Sequence, residues 1–233
     1  MSFPAVYIVV TNWNGNSVLV TEPIEQYCLE DALTDLHVRL LEEIARVSVV
    51  KEPYTASSFF TNLNTRLDFI TEYSPEYQID LIRTAVDLLA HTLDGVELPW
   101  VWRMGDFVPW NLGADSSRKK LTVVDLEYAA SNSIPGWDIF HFCAAAGNRN
   151  SGNNDWASMF KQPEITRYFG GLGVDSGVIP QLFLAYVVDL WILWAEMWKR
   201  YGRMQPFGTA KLFREKANLT ASLVFDWKKN RLH

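Results

Sequence analysis

Two short apolar runs, Trp110 to Gly113 and Leu121 to Val124, flank the polar stretch Ala114-Asp115-Ser116-Ser117-Arg118-Lys119-Lys120 and constrain this 233-residue chain more than any other feature. Runs of this length joined by a polar loop read as an antiparallel hairpin. Pairing sets the start of one strand beside the end of the other, so Asn111 and Asp125 are expected to meet at the open end. An amide oxygen next to a carboxylate gives the hard oxygen donors that a magnesium ion carrying phosphates prefers. Asp106 stands five residues before Asn111 on the entering loop, where a carboxylate can orient a hydroxyl and accept its proton.

The rest of the chain must supply a body for that hairpin. With 48% hydrophobic residues it can bury one sizeable core, and its formal charge of −6 gives no basic face for nucleic acid. The expected partner is a small molecule or another protein. Cys28 and Cys143 are too few for a disulfide framework and lack the paired spacing of a zinc site, which suits reduced thiols in a cytoplasmic protein. No basic region precedes the short apolar run Val6 to Val10, so neither a signal peptide nor a membrane anchor is expected. The run Val178 to Trp198 is long and apolar but contains Asp189 and Glu196, both expensive at a bilayer centre. Seven residues apart, they share one helical face, which predicts a buried core helix with a narrow polar stripe.

The chain opens with the β-branched runs Tyr7 to Thr11 and Ser17 to Thr21 around Asn12-Trp13-Asn14-Gly15-Asn16, a hairpin pattern. Apolar periodicity then predicts helices over Leu29 to Val49 and Phe59 to Ile70. A third starts at Ser74-Pro75 and stops at Gly95. Later helical segments lie near Trp137 to Ala146, Ile179 to Tyr201 and Thr209 to Trp227. One hairpin above a mostly helical body is lopsided for an α+β domain, because a lone two-stranded hairpin is marginal in water. His37, His91 and His141 are scattered near apolar helical faces and read as core or surface histidines.

The spacing Asp106-x-x-x-x-Asn111, with Asp125 ending a following strand, matches the catalytic loop and metal aspartate of kinases. Met104-Gly105-Asp106-Phe107-Val108-Pro109-Trp110-Asn111 and Val124-Asp125-Leu126-Glu127 resemble the aminoglycoside phosphotransferase and related small-molecule kinase family, whose loop reads like His-Gly-Asp-Phe-x-Pro-x-Asn. The likeness continues through Pro135-Gly136-Trp137-Asp138-Ile139. It implies an α+β, protein-kinase-like fold: a residual N-lobe hairpin and hinge over residues 1–24, then a mostly α-helical C-lobe over 25–233. In that C-lobe the catalytic loop and metal hairpin span 104–127 and the acceptor-side helices 137–227. By position, the resemblance makes Asp106 the catalytic base and Asn111 and Asp125 the Mg2+ ligands. Glu127 becomes an accessory acid, and Asp138 a helix-opening residue that holds the loop backbone. Glu22, Pro23 and Ile24 fall at the hinge that would meet the adenine of ATP, or the base of GTP. Asp189 and Glu196 are candidates for lining an acceptor pocket.

Met104 departs from the family's His. Upstream of Tyr7 the sequence leaves no room for a phosphate-covering loop or a strand lysine, so the chain reads as a C-lobe with little above it. Three functions fit: transfer of a γ-phosphoryl group to a small-molecule hydroxyl, a pseudokinase that binds nucleotide or scaffolds, and half of a split kinase. A missing N-lobe would leave an apolar face for self-association or for a partner that supplies the lobe.

Overall fold

Strands β1 (Val6–Trp13) and β2 (Asn16–Thr21) form the antiparallel hairpin expected from their β-branched runs. Trp13 pairs with Asn16, so the strands reach further into the connecting segment than the sequence suggested. The computed structural model describes residues 6–13, 16–21, 32–71, 79–114, 121–150 and 159–201. Glu22, Pro23 and Ile24, the Ser74-Pro75 start and the segment Thr209 to Trp227 lie outside the described residues. The chain divides into two units: Met1–Val49, Val101–Ser131 and Gly136–Gly173 form one, and Val50–Trp100, Asn132–Pro135 and Val174–His233 the other.

In the first unit, helix α1 (Asp35–Ser48) begins later than the Leu29 start read from periodicity. Thr34 is extended and caps it, the Val38 N–H donating to the Thr34 carbonyl at 3.2 Å. Threonine before an acidic first turn is a strong start signal, because it meets amide groups that the helix leaves without partners. Val38, Leu41 and Ala45 bury one face of α1, and the helix packs on α5 (Pro163–Gly171). The helical segments read from the sequence omit α5; Pro163 at its first turn and buried Ile165, Tyr168 and Phe169 explain it. Helix α4 (Trp137–Asn150) follows Gly136, whose φ of +82° and close approach to the Phe169 ring both exclude a side chain.

The second unit is built on α2 (Ser58–Thr71), α3 (Ile79–Thr92) and α6 (Ile179–Tyr201), with α6 packed against both others. Helix α6 belongs to the one stretch, Ser176–Met197, long and apolar enough to cross a membrane among the described residues, and 67% of its apolar window is buried in the protein. It is a core helix here: Leu182, Phe183, Tyr186, Val187 and Leu190 are all buried. Beside the helices, β3 (Val50–Pro53) pairs antiparallel with β4 (Glu97–Arg103), from Val50 opposite Trp100 to Pro53 opposite Glu97. Strand β7 (Ala130–Ser133) is the third in that sheet. Sequence periodicity misses β3 and β4 because neither alternates: β3 is mostly exposed, and β4 buries four consecutive residues. Tyr54 stacks on Trp100 at 6.1 Å, and the Trp100 indole N–H donates to the Glu52 carbonyl at 3.1 Å, so the large ring is buried with its polar atom bonded.

Candidate active site

Strands β5 (Leu112–Ala114) and β6 (Leu121–Val123) form the predicted hairpin, with Leu112 opposite Val123 and Ala114 opposite Leu121. Trp110 and Asn111, expected in the first strand, instead close a 3₁₀ turn over Pro109–Asn111. The ladder still extends one step, since the Val124 N–H donates to the Asn111 carbonyl at 3.1 Å. That bond sets Asp125 next to the Asn111 backbone, as antiparallel register requires. Asp125 takes φ 59°, the left-handed region that Asp tolerates better than most residues, at the point where the chain leaves the sheet.

The entering loop is held from below. Asp138, at the start of α4 and 4% exposed, accepts the Met104 N–H at 2.8 Å and the Gly105 N–H at 3.0 Å. Burial raises its pKa, opposed by those two hydrogen bonds and by the charges of His141 and Arg103. Gly105 has φ +85°, and a Cβ there would collide with the Tyr128 backbone carbonyl. Only glycine lets the loop pass so close. Phe107 is fully buried between His37 and Phe142, at ring distances of 5.9 and 5.7 Å.

Asp106 is thereby presented with both carboxylate oxygens occupied. The Asn111 amide Nδ2 donates to Asp106 Oδ2 at 2.8 Å and to the Asp106 carbonyl at 3.1 Å. With its nitrogen committed, Asn111 keeps its oxygen as a free donor to a cation. Asp125 and Glu127 are exposed nearby. Desolvation, then the Glu127 and Asp106 carboxylates, raise the Asp125 pKa above its ordinary value. A divalent cation would relieve that repulsion, so the donor set fits magnesium. Among the described residues no three His, Cys, Asp or Glu side chains form a metal cluster, and one amide with one carboxylate leaves most positions to water and phosphate oxygens.

His141, read from the sequence as a core or surface residue, lies at this site: its Nε2 is 3.3 Å from Asp106 Oδ1. The signal was its position on α4, four residues after Trp137 and three after Asp138, which puts all three on one helical face. In the second unit, Asp189 and Glu196 do share a face, and Arg66 of α2 binds both, at 2.6 Å to Asp189 and 2.9 Å to Glu196. This accounts for the polar stripe as an ion triad in which Asp189 is buried and Arg66 and Glu196 are about a quarter exposed.

No family model and no curated protein matches the sequence. Among solved structures, choline kinase LicA from Streptococcus pneumoniae matches with a TM-score of 0.62 at 15% identity, over 96% of this chain and 74% of that one. The fold is protein-kinase-like. LicA in complex with AMP matches at TM-score 0.53 and 15% identity, over 94% and 73% of the two chains. A GDP complex of an aminoglycoside 2'-phosphotransferase matches at TM-score 0.49 and 14% identity, over 99% and 76%. The likeness is to small-molecule phosphotransferases at the level of the fold, which is the α+β, mostly helical architecture that the kinase-like motifs implied. In that protein-kinase-like frame, the loop after β4 and the β5–β6 hairpin bring Asp106, Asn111 and Asp125 together in the first unit.

Proposed function

We propose that this chain moves the γ-phosphoryl group of ATP or GTP to a hydroxyl of a small molecule, in the cytoplasm and with magnesium. The observation that supports it most is the bonded pair Asp106–Asn111, with Asp125 delivered beside it by the Val124–Asn111 backbone bond. Asp106 is the base: the acceptor oxygen bonds to phosphorus, the bond to the leaving diphosphate breaks with its electron pair, and the hydroxyl proton passes to the Asp106 carboxylate. Asn111 Oδ1 and Asp125 would hold the metal, which would supply positive charge against the phosphates. Glu127 adds negative potential beside Asp125, and Asp138 keeps the loop backbone in place. By the resemblance, Glu22, Pro23 and Ile24 would meet the base of the nucleotide. The structural likeness to a choline kinase makes amino alcohols the first acceptors to try.

Calorimetric titration with ATP, with and without magnesium, tests the reading alongside Asp125→Asn and Asp106→Ala. Magnesium-dependent binding lost in Asp125→Asn, and phosphate transfer lost in Asp106→Ala while binding persists, are the expected results. Binding without turnover of any sugar, aminoglycoside or amino alcohol would overturn the enzyme reading in favour of a nucleotide-binding scaffold. No binding by a folded chain would overturn both.

A further inference from the structure

Asp106 carries one donor on each carboxylate oxygen, and the second donor comes from outside the catalytic loop. An ionised carboxylate offers only lone pairs, so His141 Nε2 carries the proton in the 3.3 Å contact with Oδ1, while Asn111 Nδ2 serves Oδ2 at 2.8 Å. One donor leaves a carboxylate free to swing about its terminal torsion, whereas a donor on each oxygen fixes its plane. Met104, buried in the loop two residues before Asp106, has a thioether and can donate nothing.

The imidazole is itself held. Its ring stacks on Trp137 at 4.9 Å with an interplanar angle of 28°, and the Arg103 guanidinium lies over Trp137 at 4.5 Å. Trp137 is 1% exposed, and the next residue, Asp138, bonds the loop on which Asp106 sits. Helix α4 also packs on the 3₁₀ turn that presents Asn111. Loop, turn and helix therefore form one assembly, in which His141 keeps a fixed distance to Asp106.

We infer that His141 is a positioning residue for Asp106, donating Nε2–H to Oδ1 so that the carboxylate keeps a lone pair aimed at the incoming hydroxyl. The kinetic part of this inference rests on the phosphotransferase reading; the contact itself does not. Among the described residues, the charged groups facing the imidazole include Asp106 on the loop, Asp138 on its own helix and Arg103 across Trp137.

Two substitutions separate the donor from the packing. His141→Phe keeps a ring against Trp137 without a donor, and His141→Gln keeps a donor near the Nε2 position without the ring. Misplacement of a reacting group by about 1 Å costs on the order of 100-fold in rate, so His141→Phe is expected to lower kcat by about 10- to 100-fold. KM for nucleotide and acceptor should change little, and His141→Gln should recover much of kcat. Nitrogen-15 imidazole spectra of the full chain supply a readout free of turnover: a slowly exchanging Nε2 proton in the wild type, lost in Asp106→Ala. An Nε2 proton indifferent to Asp106, an unchanged kcat in His141→Phe, or a rise in KM alone would overturn the role of His141. An Asp106-dependent Nε2 proton in a chain that phosphorylates no acceptor would overturn the phosphotransferase reading instead, and with it the kinetic role of His141.

Discussion

The buried histidine of α1 makes stability depend on pH in a way that can be worked out from its surroundings. His37 is fully buried, and its Nδ1 accepts from the Thr34 N–H at 3.1 Å and lies 2.7 Å from Thr34 Oγ1. The ring proton therefore sits on Nε2, which has no hydrogen-bond partner and lies among the Phe107 and Phe142 rings. Protonation would place a second N–H against the Thr34 amide and a charge in an apolar pocket. Burial accordingly lowers the His37 pKa from 6.5 to about 4. The unfolded chain binds the extra proton first as pH falls, so the contribution of neutral His37 is intact above about pH 6.5 and is lost progressively toward pH 4. At about 1.4 kcal/mol per pKa unit, the loss attributable to His37 between pH 7 and pH 5 is about 2 kcal/mol. Urea unfolding followed by tryptophan fluorescence at half-unit steps, for wild type and His37→Leu, measures it. The variant starts less stable because the cap is lost, so the readout is the slope of stability against pH. Its curve should fall by about 2 kcal/mol less than the wild type over that interval. Parallel curves would refute the argument and mean that His37 is charged in the folded protein or hydrated.

Three further outcomes follow from the same structure. Arg66→Met leaves the Asp189 carboxylate buried without its counterion and should cost about 3–5 kcal/mol in urea unfolding, with Asp189→Asn in the same background restoring part of the loss; a cost below 1 kcal/mol would refute the Arg66–Asp189 pairing. Gly105→Ala adds a Cβ against the Tyr128 carbonyl at a positive φ and should cost at least about 2 kcal/mol, measurable by thermal unfolding, because both the steric and the backbone terms oppose it. Burial pushes the Cys143 thiol up to about 12, so mass spectrometry should find Cys143 labelled by iodoacetamide at pH 8 much more slowly than after denaturant is added.

Much of the site was legible before any fold. Two short apolar runs around a polar loop pair antiparallel with the start of one beside the end of the other, so Asn111 and Asp125 were expected as neighbours, and the observed ladder differs only in that a 3₁₀ turn replaces its first residues. The hairpin at the start and the cores of α1, α2, α3, α4 and α6 were also legible, because an apolar face repeats along each one. Helix boundaries were less so: Thr34 starts α1 because its cap geometry overrides the apolar residues before it.

Local pattern alone determined the hairpin, the acidic loop and the long apolar helix, since each is specified by residues within a few positions of one another. Tertiary structure alone decided who meets whom across the chain. Arg66 finds Asp189 across 123 positions, and Asp138 reaches Met104 across 34. His141 meets Asp106 across 35 positions, on a helix that Asp138 fastens to the loop. Charge and hydrogen-bond partners at such separations leave no periodic trace in a sequence. They are selected by how buried faces pack, and packing is settled only when every element is in place.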